Sequence, residues 1–179
     1  VVSSTSVEDL KEFYELNCTT KQNLGVPCHP WEFFKNLFSI LDGYVRLYLS
    51  RHEGNIIAGG VIECYKGQAL YGYGAADPNH LNLRPYYAFI WKSIEDACAN
   101  GCRTYDFGRT SYDNIGLIQF KKNWGARERG LCYSYYPTAG RSVVTERDSA
   151  IYRLGNSIIR AMPKSAYKAF STSVFGHFG

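Results

Sequence analysis

Two short glycine turns in the middle of the chain constrain its fold more than any other feature. They are Glu53-Gly54-Asn55 and Lys66-Gly67-Gln68, and each separates runs of strand length. In the first run, Val45, Leu47 and Leu49 alternate with other residues, as a half-buried strand requires. Because such turns join neighbouring antiparallel strands, residues 45–75 predict a three-stranded meander.

Helical patterns lie on both sides of the meander. Ser6 is a candidate N-cap for a first helix, and Pro30 suits the first turn of a second. Pro85 opens a third helix, whose predicted apolar side consists of Tyr87, Ile90, Trp91, Ile94, Ala97 and Cys98. A strand over 103–107, a helix over 114–124 and a strand over 131–136 follow. This order predicts an α/β (α+β) fold with a mixed, mostly antiparallel sheet and helices on both faces.

The last segment differs from the rest in charge. Residues 141–179 hold six basic and two acidic side chains, so they carry the whole net charge of +4. Their pattern predicts one helix over 145–162, before Pro163, and a second over 164–175. We therefore divide the chain into a main domain, 1–140, and a basic C-terminal helical extension, 141–179. Contact with an anionic membrane surface and a merely solvated face both remain open for this extension.

Cysteine and histidine placement argues against metal chemistry. The six cysteines form no CxxC pair, and the four histidines are scattered. Cys98 and Cys102 have a spacing suited to two metal ligands, but no nearby Cys/His pair completes a zinc site. The sequence displays no secretory-signal pattern and no apolar run of about 18–20 residues, so we expect neither a signal peptide nor a membrane span. We therefore expect free thiols and a cytoplasmic location, at the inner face of the membrane if the extension binds lipid.

Two motifs carry the most specific signal. The first is Tyr105-Asp106-Phe107-Gly108-Arg109-Thr110, followed by Gln119-Phe120-Lys121-Lys122-Asn123-Trp124-Gly125. The second is the stretch 19–34, which contains Leu24-Gly25-Val26-Pro27. They resemble the D-F-G-R, F-K-x-x-W/F-G and T-x-x-x-L-G-x-P patterns of the FemAB-like branch of the GNAT N-acyltransferases. The resemblance spans most of residues 10–136 and implies that the main domain has a GNAT-like fold.

The resemblance also implies an activity. FemAB-like proteins transfer an acyl or aminoacyl group to an amine, often of a cell-envelope precursor or polysaccharide. Longer members carry two GNAT-like lobes, and this chain resembles the second, so an N-terminal lobe is an implied partner. Such a fold needs no protein nucleophile, because the acceptor amine attacks a donor held between two splayed strands. The competing interpretation is a non-catalytic GNAT-like module that binds RNA or a partner lobe.

The segment before the third helix bears on the donor. GNAT proteins that use acyl-CoA hold its pyrophosphate with a glycine-containing loop at this place. Here the chain reads His80-Leu81-Asn82-Leu83-Arg84-Pro85, without glycine, and Pro85 lacks an N–H. Of the two implied donors, aminoacyl-tRNA and acyl-CoA, we therefore expect coenzyme A to bind weakly.

Lys121 is the most informative single residue. At about 100° per residue it falls between Trp124 and Ile118, in the middle of an apolar stripe. A lysine that packs its stem and extends its ammonium to water is the alternative. The motif match instead implies that Lys121 is catalytic.

The remaining candidates lie on or beside the same motif. Arg109 is the second catalytic candidate, and Asp106 flanks the same strand end, where α/β folds often place functional groups. An internal Asp106–Arg109 pair that fixes the loop is the alternative. The candidate substrate-binding residues are Asp106, Tyr112, Phe120 and Trp124, and we predict no metal ligand.

Overall fold

The computed structural model describes residues 1–134 and 150–175. Its five strands form one sheet in chain order and are β1 (Val2–Ser4), β2 (Val45–His52), β3 (Asn55–Tyr65), β4 (Gln68–Ala76) and β5 (Thr104–Asp106). Neighbouring strands are antiparallel except β4 and β5, which are parallel. The predicted mixed, mostly antiparallel sheet is confirmed.

Within the described residues, six α-helices accompany the sheet. They are α1 (Val7–Asn23), α2 (Trp31–Ile40), α3 (Pro85–Ala99), α4 (Ile115–Asn123), α5 (Ala150–Ala161) and α6 (Lys164–Phe175), and a 3₁₀ helix spans Pro78–Leu83. Local signals set several helix starts. The Ser6 side chain accepts a hydrogen bond from the Asp9 amide, and that of Asn114 accepts one from Leu117.

The two glycine turns form the predicted hairpins. Glu53 and Gly54 have φ angles of 50° and 84°, and Lys66 and Gly67 have 46° and 77°. Two successive residues in the left-handed region give a turn whose twist matches that of the flanking strands. The predicted meander therefore follows from local backbone chemistry.

Sequence patterns misjudged the sheet at both ends. β1 was not predicted, although it pairs with β2 from Val2 to Ser4. Conversely, residues 131–134 form no strand, and the rest of the strand predicted over 131–136 lies outside the described residues. Leu131 and Tyr133 alternate with their neighbours but are exposed, because alternation alone does not supply a strand to pair with.

The buried face of α3 is rotated from the predicted one. Phe89, Ile90, Ser93 and Ala97 are buried, whereas Tyr87, Trp91 and Cys98 are exposed. Gly60 of β3 explains the rotation, because a Cβ atom there would lie 2.6 Å from the Phe89 ring. Because Gly60 has no side chain, the Phe89 ring fits against the sheet there, and the face of α3 that carries Phe89 is the one that packs on the sheet.

Two hydrophobic cores lie on opposite faces of the sheet. The α1-side core joins α1, α2 and the sheet, with Phe13, Phe34 and Leu47 among its fully buried members. The α3-side core joins α3 to the other face through Phe89, Ile90 and Ile62. Helices on both faces are thus confirmed.

The C-terminal helices pack on the α1-side core. Ile159 of α5 and Tyr167 of α6 are buried members of it. The described part of the helix predicted over 145–162 is α5, and α6 coincides with the helix predicted over 164–175. The proposed boundary at residue 140 lies outside the described residues, so the division of the chain stays a prediction.

Candidate functional site

β4 loses its β5 partner partway along its length. β5 pairs only with Gln68, Ala69 and Leu70. Within the described chain, residues 71–76 of β4 have no strand beside them on that edge. Beyond Leu70, β4 therefore continues without a paired strand on this side, which leaves an edge where backbone groups can bind a ligand. At the end of this edge the Ala76 carbonyl accepts a hydrogen bond of 3.3 Å from the Thr20 hydroxyl.

The loop after β5 runs beside this open edge. Gly108 has a φ of 68°, and a Cβ atom built on it would lie 3.7 Å from the Tyr71 carbonyl oxygen. The Asp106 carboxylate accepts a hydrogen bond of 2.7 Å from the Gly108 amide. Asp106 thus fixes a sharp turn of the loop where β4 and β5 separate.

Lys121 of α4 holds the same loop from the other side. Its ammonium donates to the carbonyl oxygens of Gly108, at 2.8 Å, and Arg109, at 3.3 Å. Burial lowers the pKa of Lys121, and the negative charge of Asp106 partly opposes that shift. No described carboxylate lies within ion-pair distance of this ammonium. The ammonium of Lys121 is thus stabilised by hydrogen bonds to loop carbonyl oxygens, and Asp106 attracts it electrostatically only at longer range.

Arg109 points away from Asp106. Its guanidinium donates to the Tyr133 hydroxyl at 2.5 Å and lies 5.9 Å from the centre of that ring. The alternative, an internal Asp106–Arg109 pair, is therefore not formed in the structure. Arg109 is exposed, so its guanidinium can be reached by a ligand at the loop.

The aromatic candidates are divided between two places. Trp124 stacks on Tyr87 of α3 with a centroid distance of 5.6 Å, and Phe120 meets the same ring edge-on at 5.5 Å. These two rings fasten α4 to α3. Tyr112 lies on the loop and is 75% exposed. The structure therefore gathers Asp106, Arg109 and Lys121 at one loop and places Phe120 and Trp124 in a helix contact.

Sequence analysis missed Glu63, a half-buried carboxylate near the end of β3. It pairs across the sheet with Leu70, the last β4 residue beside β5. Its Oε1 atom would lie 2.7 Å from a Cβ atom built on Gly72, which belongs to the open edge. Burial raises the pKa of Glu63, and no described residue forms a hydrogen bond or ion pair with it. Only the fold reveals this residue, because Glu63 is far from both motifs in sequence.

Glu63 also lines a concavity of about 350 Å³. The other lining residues are Leu41, Tyr44, Val45, Cys64 and Tyr65. The wall is thus mostly apolar with one carboxylate, the composition of many small-molecule sites. A second concavity of about 240 Å³ is lined on its polar side by Arg46, Lys66 and Asp96, none of which belongs to the loop or the open edge.

Two other features bear on the class of site. Residues 1–134 and 150–175 contain no cluster of three or more His, Cys, Asp or Glu side chains arranged to hold a metal. Over the same residues, no helix has the length and apolar character needed to cross a bilayer.

Comparison with known proteins assigns the fold to a family. The model of the acetyltransferase (GNAT) domain matches residues 1–122. A lipid II:glycine glycyltransferase from Staphylococcus haemolyticus is 29% identical over 84 residues, which are 43% of this chain. The matched stretch is only 20% of the length of that relative.

Solved structures share the architecture. FemX superimposes with a TM-score of 0.62 and 20% identity over 69% of this chain and 50% of FemX. AAC(6')-Iy, solved in complex with the bisubstrate analogue CoA-S-monomethyl-acetylneamine, gives a TM-score of 0.58 and 14% identity over 74% of this chain and 94% of its own. The chain therefore belongs to the acetyltransferase (GNAT) domain family, and the predicted resemblance to its FemAB-like acyltransferases is confirmed.

Proposed function

We propose that this chain is a catalytic lobe that transfers an acyl or aminoacyl group from an activated donor to the amine of a cell-envelope precursor. The observation that carries the proposal is the open edge of β4, which has Glu63 on one side and the loop held by Lys121 on the other. The name of the glycyltransferase relative supports the class of acceptor.

The donor carbonyl would lie along the open edge, beyond Leu70. There, backbone groups of β4 without a strand partner can hold the donor in an extended conformation. The amine nitrogen then attacks the carbonyl carbon, and the alcohol or thiol of the donor leaves when the tetrahedral intermediate collapses. No protein nucleophile is needed.

Glu63 is the proposed proton acceptor. The attacking amine must lose a proton, and a carboxylate without a partner beside the open edge is placed to take it. Burial shifts the pKa of Glu63 upward, toward neutral pH, and a general base works best when its pKa lies near the pH of the reaction. The concavity that it lines would receive the acceptor.

Lys121 is proposed to act on the loop and on its charge. Its ammonium binds the carbonyl oxygens of Gly108 and Arg109. Because the N–H of a trans peptide unit points opposite to its carbonyl, the N–H groups of these two peptide units point away from α4. Those N–H groups, together with the ammonium charge, would stabilise the oxyanion or the donor phosphate. Arg109 is the exposed cation that would contact a phosphate of the donor, with Asp106 and Tyr112 beside it.

An aminoacyl ester is the donor that we propose over coenzyme A. The chain before α3 forms a 3₁₀ helix, Arg84 adopts a φ of 51°, and Pro85 occupies the first helical position without an N–H. A pyrophosphate would find fewer backbone donors there than in a glycine loop. We expect acetyl-CoA to bind more weakly than micromolar in calorimetric titration, and micromolar affinity would favour a CoA thioester as the donor.

The exposure of the loop argues for an enzyme over a non-catalytic module. A filled core around Lys121 and Arg109 would indicate a purely structural site. Instead, Arg109 is exposed, Tyr112 is 75% exposed, and α4 has no fully buried residue. These groups are accessible to a ligand.

The decisive experiment is aminoacyl transfer by the full-length protein carrying Glu63→Gln. We expect turnover to fall about 10²–10⁴-fold with little change in KM, because the amide keeps the shape but accepts no proton. Glu53→Gln in the exposed hairpin turn is the matched control and should retain full activity. Full activity of Glu63→Gln would remove Glu63 from the mechanism, and absence of transfer by the wild type with every donor would favour the binding module.

A further inference from the structure

Two buried cysteines touch each other in the α1-side core. Cys18 lies in α1, and Cys28 lies in the connection between α1 and α2. Their Sγ atoms are 2.9 Å apart, and the residues are 3% and 0% exposed. In the structure both are thiols, so this is a direct contact between two reactive groups that the transfer mechanism does not use.

The surroundings make the two thiols unequal. The contact with Cys18 is the main cause that lowers the pKa of Cys28 to about 6; burial opposes this shift, and the neighbouring Tyr167 and Ser171 side chains act in the same direction as Cys18. The same contact with Cys28, together with burial, raises the pKa of Cys18. A thiolate is the nucleophilic form of cysteine, so the pair contains one attacking sulfur and one sulfur placed to resolve the product.

We propose that Cys18 and Cys28 form a redox-responsive pair, which a hydroperoxide converts into a reversible intramolecular disulfide. The Cys28 thiolate attacks one peroxide oxygen, the O–O bond breaks, and the other oxygen leaves as hydroxide, which takes up a proton. The Cys18 sulfur then attacks the sulfenic sulfur of Cys28 and loses its proton, and water leaves. In total, two thiols lose two electrons and two protons, and hydrogen peroxide becomes two waters.

The Cys18–Cys28 disulfide would close a loop of chain that forms hydrogen bonds with the C-terminal helices. Gln22 donates to the carbonyls of Ile159, at 3.3 Å, and Met162, at 2.7 Å. The Tyr167 hydroxyl donates to the Val26 carbonyl at 2.9 Å. These contacts fall between Cys18 and Cys28 in the chain, so oxidation would fasten the segment that holds α5 and α6.

A second pair offers an internal comparison. Cys64 and Cys102 also interact, but burial and the neighbouring thiol raise the pKa of Cys64. That pair therefore lacks the stabilised thiolate found at Cys28. Cys98 and Cys132 are exposed and have no thiol contact in the described structure.

The test uses the full chain with Cys98→Ser and Cys132→Ser, which prevents links between molecules. After treatment with hydrogen peroxide, tryptic digestion without reductant should yield one linked pair of peptides containing Cys18 and Cys28, since Lys21 separates them. A dithiol should reverse the link. We expect the melting temperature to rise by about 5 °C on oxidation, because the bond restricts the unfolded chain.

Three variants sharpen the result. Cys18→Ser should stop the reaction at the sulfenic acid of Cys28, which dimedone traps, whereas Cys28→Ser should give neither product. Cys64→Ser with Cys102→Ser should leave the link unchanged. Two outcomes would overturn the proposal: peroxide treatment that yields no peptide linking Cys18 to Cys28, and treatment that links Cys64 to Cys102 first. Both can be observed in the protein that retains Cys18 and Cys28.

Discussion

The α1-side core and helix α4 are packed to different degrees. On the α1 side, Phe13 and Phe34 are fully buried, and their rings meet edge-on at 6.0 Å. On the α3 side, α4 has no fully buried residue. It is held by the two hydrogen bonds of Lys121 and by the stacking of Trp124 on Tyr87. The α1-side core thus provides scaffold, and α4 places the loop that we propose to be reactive.

This difference separates stability from function. Free energy of unfolding resides mainly where apolar side chains are fully removed from water. A loop positioned by few contacts contributes less to stability and adjusts more readily to a ligand. Substitutions on the α1 side should therefore change stability, and those around α4 should change turnover.

The largest expected effect is on stability. Phe34→Ala should lower the free energy of unfolding by about 3–5 kcal/mol, since it empties a fully buried aromatic site. Phe120→Ala, on half-buried α4, should cost about 1–2 kcal/mol. Urea unfolding of both variants measures the difference, and equal losses would show that α4 is as tightly packed as the α1-side core.

Lys121→Met should show the opposite pattern. It keeps the volume of the stem but removes the ammonium and its two hydrogen bonds to exposed loop carbonyls, so we expect turnover to fall about 10²–10³-fold while the melting temperature changes little. Lys122→Met is the matched control, because Lys122 is exposed and pairs with Glu128 at 2.8 Å. A large loss of stability with unaltered transfer would make Lys121 a structural lysine only.

The pH dependence of transfer should report Glu63. Because burial raises its pKa, the carboxylate becomes protonated, and activity falls, at a higher pH than for an exposed glutamate. Glu63→Gln should lack this acid limb. Its stability should equal or exceed that of the wild type near neutral pH, where the buried charge is unfavourable, and this difference should vanish below the unfolded pKa. An unchanged acid limb in the variant would assign the limb to another group.

The smallest effect concerns the C-terminal helices. Leu154 and Ile158 of α5 are exposed, as are Arg153 and Arg160, a combination suited to an anionic surface. We expect weak binding to anionic vesicles at low salt, which replacement of both arginines by glutamine reduces. Lys168→Gln is the control, because Lys168 already pairs with Glu15. No co-sedimentation at low salt would leave the extension as a solvated face.

The sequence by itself determined the features that depend on neighbouring residues. The hairpins follow from the left-handed residues at 53–54 and 66–67, and the helix starts follow from caps such as Ser6 and Asn114. The motifs around Arg109 and Lys121 located the loop, because both belong to one short stretch of chain. All of these signals act over a few residues, so a single sequence displays them.

Only the tertiary structure decided the features that join distant segments. The face of α3 depends on the space above Gly60, and β1 forms because β2 offers an edge. The environment of Glu63 depends on the closeness of its side chain to Gly72 of the open edge, and the contact of Cys18 with Cys28 depends on how the chain returns after α1. Burial and proximity are properties of the packed molecule, so no local pattern of residues could have shown which carboxylate and which thiols lie in the environments on which our proposals rest.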